Sequence, residues 1–83
     1  MIENFQNYLR NNPVKILKES TIKDYTYRLE GICKRENITL NEIAKNIDFY
    51  VEDYGPKGNN SEYGKKSNRA YISALKRLKE FLR

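Results

Sequence analysis

The chain has no histidine and no tryptophan, and only one cysteine, one methionine and two prolines among its 83 residues. Without histidine there is no imidazole to ligate a metal or to shuttle protons near neutral pH. A single cysteine, Cys33, excludes an internal disulfide and suits a reducing compartment. Cys33 falls on an apolar helical face and has no histidine to activate it, so it reads as a buried structural thiol rather than a nucleophile. No apolar run approaches the ~20 residues of a membrane span, and the opening residues do not read as a secretory signal. The glycines at 55, 58 and 64 match neither the P-loop nor the dinucleotide spacing. Glu52 and Asp53 lack the further oxygens a metal site needs and read as solvated charge. Seven tyrosines are present, yet none has a local activating group. The expectation is a non-enzyme without metal or cofactor.

What is present is charge, unevenly placed. Residues 1–54 hold eight Lys/Arg against nine Asp/Glu, net −1; residues 55–83 hold eight against two, net +6. Positive charge gathered in one third of a chain points to a polyanionic partner, nucleic acid being the commonest, with a solvated lysine-rich surface as the plain alternative. Aromatic residues are frequent enough for a folded domain, and the length allows one, spanning 1–83.

Helical periodicity recurs along the chain. Ile2, Phe5, Tyr8 and Leu9 suit a first helix, stopped at Asn11-Asn12-Pro13. Val14, Ile16 and Leu17 tuck a connector onto the core. Ser20 or Thr21 caps a second helix running to about Arg35, with Ile22, Tyr25, Leu29, Ile32 and Cys33 inward. Gly31 either permits a close crossing or is tolerated at a cost of up to ~1 kcal/mol. Thr39 to Glu42 is a capping-box pattern. Leu40, Ile43, Ile47, Tyr50, Val51 and Tyr54 share a face that Phe49 spoils; a break near Asn46 would resolve the conflict. Gly55-Pro56 ends that stretch, and Lys57 to Tyr63 reads as a mobile polar loop. In the final helix, capped by Ser67, seven apolar residues from Ala70 to Leu82 fall in an arc of about 140°. Arg69, Lys76 and Arg83 recur on the other side, and Ile72 lies off the stripe, under the loop or against a missing partner domain. The fold class is all-α, a compact bundle of four to five short helices.

An order of features now stands out: Phe5 and Tyr8-Leu9; Ser20-Thr21 with Tyr25 and Leu29; Leu40 with Glu42-Ile43 and Ile47-Asp48; Ser67 with Tyr71 to Leu75 and Phe81-Leu82. This order resembles the N-terminal core-binding domain of the tyrosine recombinases, the phage integrase family. The resemblance implies a SAM-like helical bundle forming half of a clamp on double-stranded DNA. Its second and last helices would approach the duplex, and catalysis would lie in a separate C-terminal domain. The connector Asn11 to Glu19 is long for the family, and Ser67 is followed by Asn68-Arg69-Ala70 where the family often has a threonine.

The residues supply their own DNA-binding candidates. Lys23, Tyr27 and Lys34 lie opposite the apolar face of the second helix. An exposed tyrosine between cations can bond phosphate or pack on sugar, or be an ordinary surface residue. Lys65, Lys66, Ser67, Asn68 and Arg69 gather at the start of the last helix, where free N–H groups favour anions. Ser67 and Asn68 also read as plain caps. Ser73, Lys76 and Arg77 continue outward; Asn68, Arg69 and Lys76 have the reach to meet base edges. The expected function is clamp-like DNA binding for a site-specific recombinase in a cytoplasmic, bacterial, phage or mobile-element setting. The isolated domain would be a monomer, partnered in its parent protein by the catalytic domain. The alternatives are a protein-interaction bundle using Ile72 and the acidic first half, or a recognition module of another nuclease or regulator.

Overall fold

A computed structural model describes residues 1–12 and 16–83. The described residues form six helices and no strand: α1 (Ile2–Arg10), α2 (Glu19–Glu36), α3 (Leu40–Lys45), α4 (Ile47–Asp53), α5 (Ser61–Gly64) and α6 (Lys66–Phe81). The Cα radius of gyration is 12.0 Å. None of these helices is long and apolar enough to cross a membrane.

The long helices α2 and α6 pack on each other, and α6 also touches α1, α4 and α5. Between them lies one core. Phe5 and Leu9 come from α1, Ile22, Leu29 and Ile32 from α2, Ile43 from α3, and Ala74, Leu75 and Leu78 from α6; all are fully buried. Tyr54, at the end of α4, is 1% exposed. Thr26 is buried on α2, where its hydroxyl donates to the Ile22 carbonyl and accepts from Gln6.

Local chemistry explains several boundaries. At α3 both halves of the capping box form: the Glu42 N–H donates to Thr39 Oγ1 (3.2 Å) and the Thr39 N–H to Glu42 Oε1 (3.1 Å). The helix breaks at Asn46, as the pattern at Phe49 demands. The break does not bury Phe49, which stays 61% exposed with its ring edge-on to Tyr50. Ile47, Tyr50, Val51 and Tyr54 already fill the inner face. At the end of α2, Asn37 adopts the left-handed conformation, the Ile38 N–H reaches the Cys33 carbonyl, and Ile38 packs on the core. This is a Schellman closure with asparagine in the position glycine usually takes.

Other boundaries depart from expectation. Helix α2 begins at Glu19, with Lys18 as its extended N-cap residue, so Ser20 and Thr21 sit inside the first turn and cap nothing. Ile16 is 95% exposed rather than tucked in. Leu17 packs on the core as expected. Pro13 and Val14 lie outside the described residues. Cys33 is half-buried against the core, and burial pushes its thiol pKa up.

The 57–63 segment is tied down rather than loose. The Asn60 N–H donates to the Asp53 carbonyl (2.8 Å), and its side chain donates to the Asp53 carboxylate (2.6 Å). Helix α5 then closes on α4 through Gly64, whose missing side chain leaves room for the Tyr54 carbonyl. This extra short helix makes six where four to five were expected.

Candidate nucleic-acid interface

Two features flank the start of α6. One is a seam of cations and aromatic rings joining α2 to α5 and α6. Arg28, Gly31 and Arg35 are spaced to share one side of α2. Arg28 stands 5.0 Å from the centroid of the Tyr71 ring, and its Nη1 donates to the Tyr71 hydroxyl at 3.3 Å. Gly31 lies against the same ring: a β-carbon there would sit 3.4 Å from Tyr71 Cε1. Tyr71 packs on Tyr63 at 4.5 Å between centroids. Arg35 covers Tyr63 at 4.3 Å, and Lys66 approaches the same ring at 5.0 Å. These are cation–π distances.

The contact between the two phenols splits their acidities. It holds Tyr71 below the ordinary phenol range, helped by the Arg28 guanidinium, and raises Tyr63. Arg28 Nε lies 3.3 Å from Asp24 Oδ1 but makes no hydrogen bond, so this buried donor is held by charge alone. Arg35 also donates to Asn60 Oδ1 (3.0 Å), tying α2 to the 57–63 segment.

The second feature is a cleft of about 400 Å³ between α6 and the 54–62 segment. Lys65, Arg69, Ser73 and Lys76 line it from the α6 side, Ser61 and Glu62 from the other, and Tyr54, Pro56 and Ile72 supply apolar surface. The sequence pattern left Ile72 off the core stripe. It is only 8% exposed, so it offers no apolar anchor to a missing partner. Val51, Lys76, Lys79, Glu80 and Arg83 border a further, shallower depression down the same helix.

The start of α6 differs from the expected cap. Lys65 is the N-cap residue, without a side-chain cap bond, and Ser67, Asn68 and Arg69 have φ of 54°, 61° and 67°. A left-handed turn of non-glycine residues costs roughly 1–2 kcal/mol per residue. It also removes the array of parallel N–H groups that a right-handed first turn would aim at an anion. The Arg69 N–H is already spent on the Lys65 carbonyl (3.0 Å). Anion attraction at this end therefore belongs to side chains. Lys65, Lys66, Ser67, Asn68 and Arg69 are all exposed.

The structure thus brings Lys65, Arg69, Ser73 and Lys76 to one cleft and turns Lys66 toward the seam. Arg77 is set apart: its side chain is 17% exposed and lies 3.6 Å from Glu80. Lys23, Tyr27 and Lys34 are exposed on α2, outside the cleft, with Tyr27 at 65%. Among the described residues, Lys23, Lys34, Lys66, Arg69 and Lys76 have no carboxylate within 4.0 Å. Lys65 has Glu62 at 3.1 Å, both well exposed. Sequence reasoning missed Arg28, Arg35 and Tyr63. The arginines carry a usable signal, a seven-residue recurrence flanking Gly31, like that of Arg69 and Lys76 on α6; Tyr63 carries none.

Among the described residues no group of three His, Cys, Asp or Glu side chains is placed to hold a metal ion. Compared with known proteins, the chain matches no family model, no curated protein and no solved structure.

Proposed function

We propose that this chain binds double-stranded DNA through the face around the start of α6. One observation carries the reading: Arg69 and Lys76, neither with a carboxylate within 4.0 Å, line one cleft with Lys65, and Lys66 stands exposed next to Lys65 on the side of the seam. Like charges held together unneutralised repel one another, and a phosphate backbone relieves that repulsion while releasing its counterions. Lys23, Tyr27 and Lys34 on α2 extend the contact. The seam of Arg28, Tyr71, Tyr63 and Arg35 fixes α2 against α5 and α6, so that the two contact elements move as one.

In this reading the domain positions DNA and performs no chemistry. The resemblance to the SAM-like core-binding domain of tyrosine recombinases extends the proposal. The chain would be half of a clamp whose catalytic half is a C-terminal domain of the parent protein, in a cytoplasmic, bacterial, phage or mobile-element setting. The test is a titration of the isotope-labelled protein with a short mixed-sequence duplex at rising salt. Shifts should cluster at residues 65–76 and 23–34. Four phosphate contacts by Lys65, Lys66, Arg69 and Lys76 would give a log–log salt slope of about −3.6. A folded protein with no shifts at low salt rejects the reading.

A second reading has its own observation. Phe49 is an exposed aromatic on α4, in sequence beside Asp48 and near Glu52, both exposed. It replaces Ile72 as the apolar anchor of a protein-interaction surface. Failure of the duplex titration would favour it.

A further inference from the structure

Two aromatic rings stand open to solvent among the described residues, Tyr27 at 65% and Phe49 at 61%. Their surroundings differ in sign. Phe49 has the exposed carboxylates Asp48 and Glu52 close by in sequence, and these repel a phosphate backbone. Tyr27 stands on α2 between Lys23, one turn before it, and Lys34, two turns after it, both exposed. The neighbouring carboxylate of Asp24 is engaged with Arg28 at 3.3 Å. The Arg28 guanidinium lies 5.7 Å from the Tyr27 centroid and 5.0 Å from that of Tyr71, so it links the exposed ring to the seam. The result is a continuous row of Tyr27, Arg28, Tyr71, Tyr63 and Lys66, which crosses from α2 to the cations at the start of α6. Tyr27 is the open end of that row.

A paired duplex has little to offer an open ring, because its bases cover one another inside the stack and its outer surface is phosphate and sugar. An unpaired base has a free π face, and stacking it on an aromatic side chain is worth roughly 5- to 150-fold in affinity. We propose that Tyr27 is a stacking platform for an unpaired base, and that this face takes a single-stranded segment running from Tyr27 along the row to the cations of α6. The inference rests on the reading that this face meets nucleic acid, and it names the form: single-stranded nucleic acid, free or as an overhang on a duplex. At 65% exposed, the Tyr27 ring keeps a face free although Arg28 stands beside it. Lys23 meets the phosphate next to the stacked base, and Lys66 meets one further along. Glu30 is exposed between Tyr27 and Lys34 and carries the wrong sign for phosphate. The strand therefore leaves toward Arg28 and α6 rather than along α2.

The test is fluorescence anisotropy at one fixed low salt with three dye-labelled probes: a blunt hairpin duplex, the same hairpin with a short single-stranded overhang, and the same overhang built of abasic sites. The two overhangs carry the same phosphates, so charge is held constant between them. The overhang with bases should bind roughly 5- to 150-fold tighter than the abasic one. Tyr27→Ala should bring that ratio close to one. Tyr27→Phe, which keeps the ring and loses the hydroxyl, should preserve it. Equal affinity for the two overhangs overturns the inference, and if the blunt hairpin still binds, the duplex reading stands alone. A folded Tyr27→Ala protein that keeps the ratio also overturns it. So does loss of the ratio in Tyr27→Phe, which would make the contact a bond from hydroxyl to phosphate. If Tyr27→Ala disturbs α2, the abasic comparison and Tyr27→Phe still decide. Binding of the overhang with bases, but not of the blunt hairpin, upholds the inference and rejects the duplex reading. No binding of any probe rejects both.

Discussion

Two glycines on helices should respond to the same substitution with opposite signs. In Gly64→Ala the new β-carbon lands on the Tyr54 carbonyl oxygen and comes within 3.3 Å of Tyr54 Cβ. Neither neighbour is the free end of a side chain, so no rotamer change relieves the clash. Helix α5 has to lift away from the end of α4. Lifting it loosens the edge-to-face contact of Tyr63 with Tyr54, 5.9 Å between centroids, and uncovers a tyrosine now 1% exposed. Overpacking of this kind costs about 2–3 kcal/mol. A domain of this length has only about 4–12 kcal/mol in total, and at 4–8 °C per kcal/mol the loss lowers Tm by roughly 10–20 °C. In Gly31→Ala the β-carbon meets only the Tyr71 side chain, Cε1 at 3.4 Å and the hydroxyl at 3.8 Å, both ordinary contacts, inside an 18-residue helix. Alanine should there gain about 0.5–1 kcal/mol from lower backbone entropy in the unfolded chain. Urea titrations followed by circular dichroism measure both, with the slope m unchanged as the control that only stability moved. A Gly64→Ala protein melting within about 2 °C of wild type, against the ~10–20 °C expected, would show that α5 is not seated on α4. A Gly31→Ala protein less stable than wild type would refute the packing inferred for the seam.

Three further outcomes are expected. Tyr54→Phe removes a hydroxyl that donates to Glu36 at 2.6 Å, and should cost about 1.5 kcal/mol in urea titrations, as for a hydrogen bond to a charged group. Burial, and then the Glu36 bond, raise the folded pKa of Tyr54 above the unfolded value near 10. Its stabilisation is therefore complete below about pH 10 and is lost as pH climbs toward the folded value; Tyr54→Phe should flatten that alkaline loss. Asn37→Gly relaxes a left-handed residue with φ 57° and should raise stability by a few tenths to ~1 kcal/mol in the same assay. Arg69→Ala should leave Tm within about 2 °C, as at an exposed site outside the core, while reducing the duplex salt slope by about 0.9.

Local chemistry made much of this fold legible. The capping box at Thr39, the break at Asn46, the buried face of α2 and the exposure of Tyr27 each follow from residues within one turn of one another. What escaped depends on distant partners. Ile72 lies off the α6 stripe, so the pattern of one helix left two places for it, under the loop or against a partner, and only the packed bundle shows it 8% exposed in the core cluster. Phe49 stays outside although the break is there, because four neighbours take the inner positions. Ser67 looks like a cap in sequence, yet the chain leaves α5 in a left-handed turn. For the candidate site, the cations of α6 were readable from their spacing. The seam was not, since the meeting of Arg28 with Tyr71 joins residues 43 apart in sequence.

The dependence of the middle of the chain on α6 has a consequence for how this protein is made. Helices α3 and α4 have six and seven residues and α5 has four, far below the ~12–15 needed for helicity alone in water. They hold their shape only against a packed neighbour, and for α4 and α5 that neighbour is α6. Helix α6 is also the last of the six to be translated, and it brings Ile72, Ala74, Leu75 and Leu78 to the core. A nascent chain that has emerged only as far as Gly64 can hold little more than fluctuating α1 and α2. Folding waits for the final helix and then takes the whole domain at once, so a ribosome stalled inside α6 presents an unfolded chain to proteases rather than a half-built bundle.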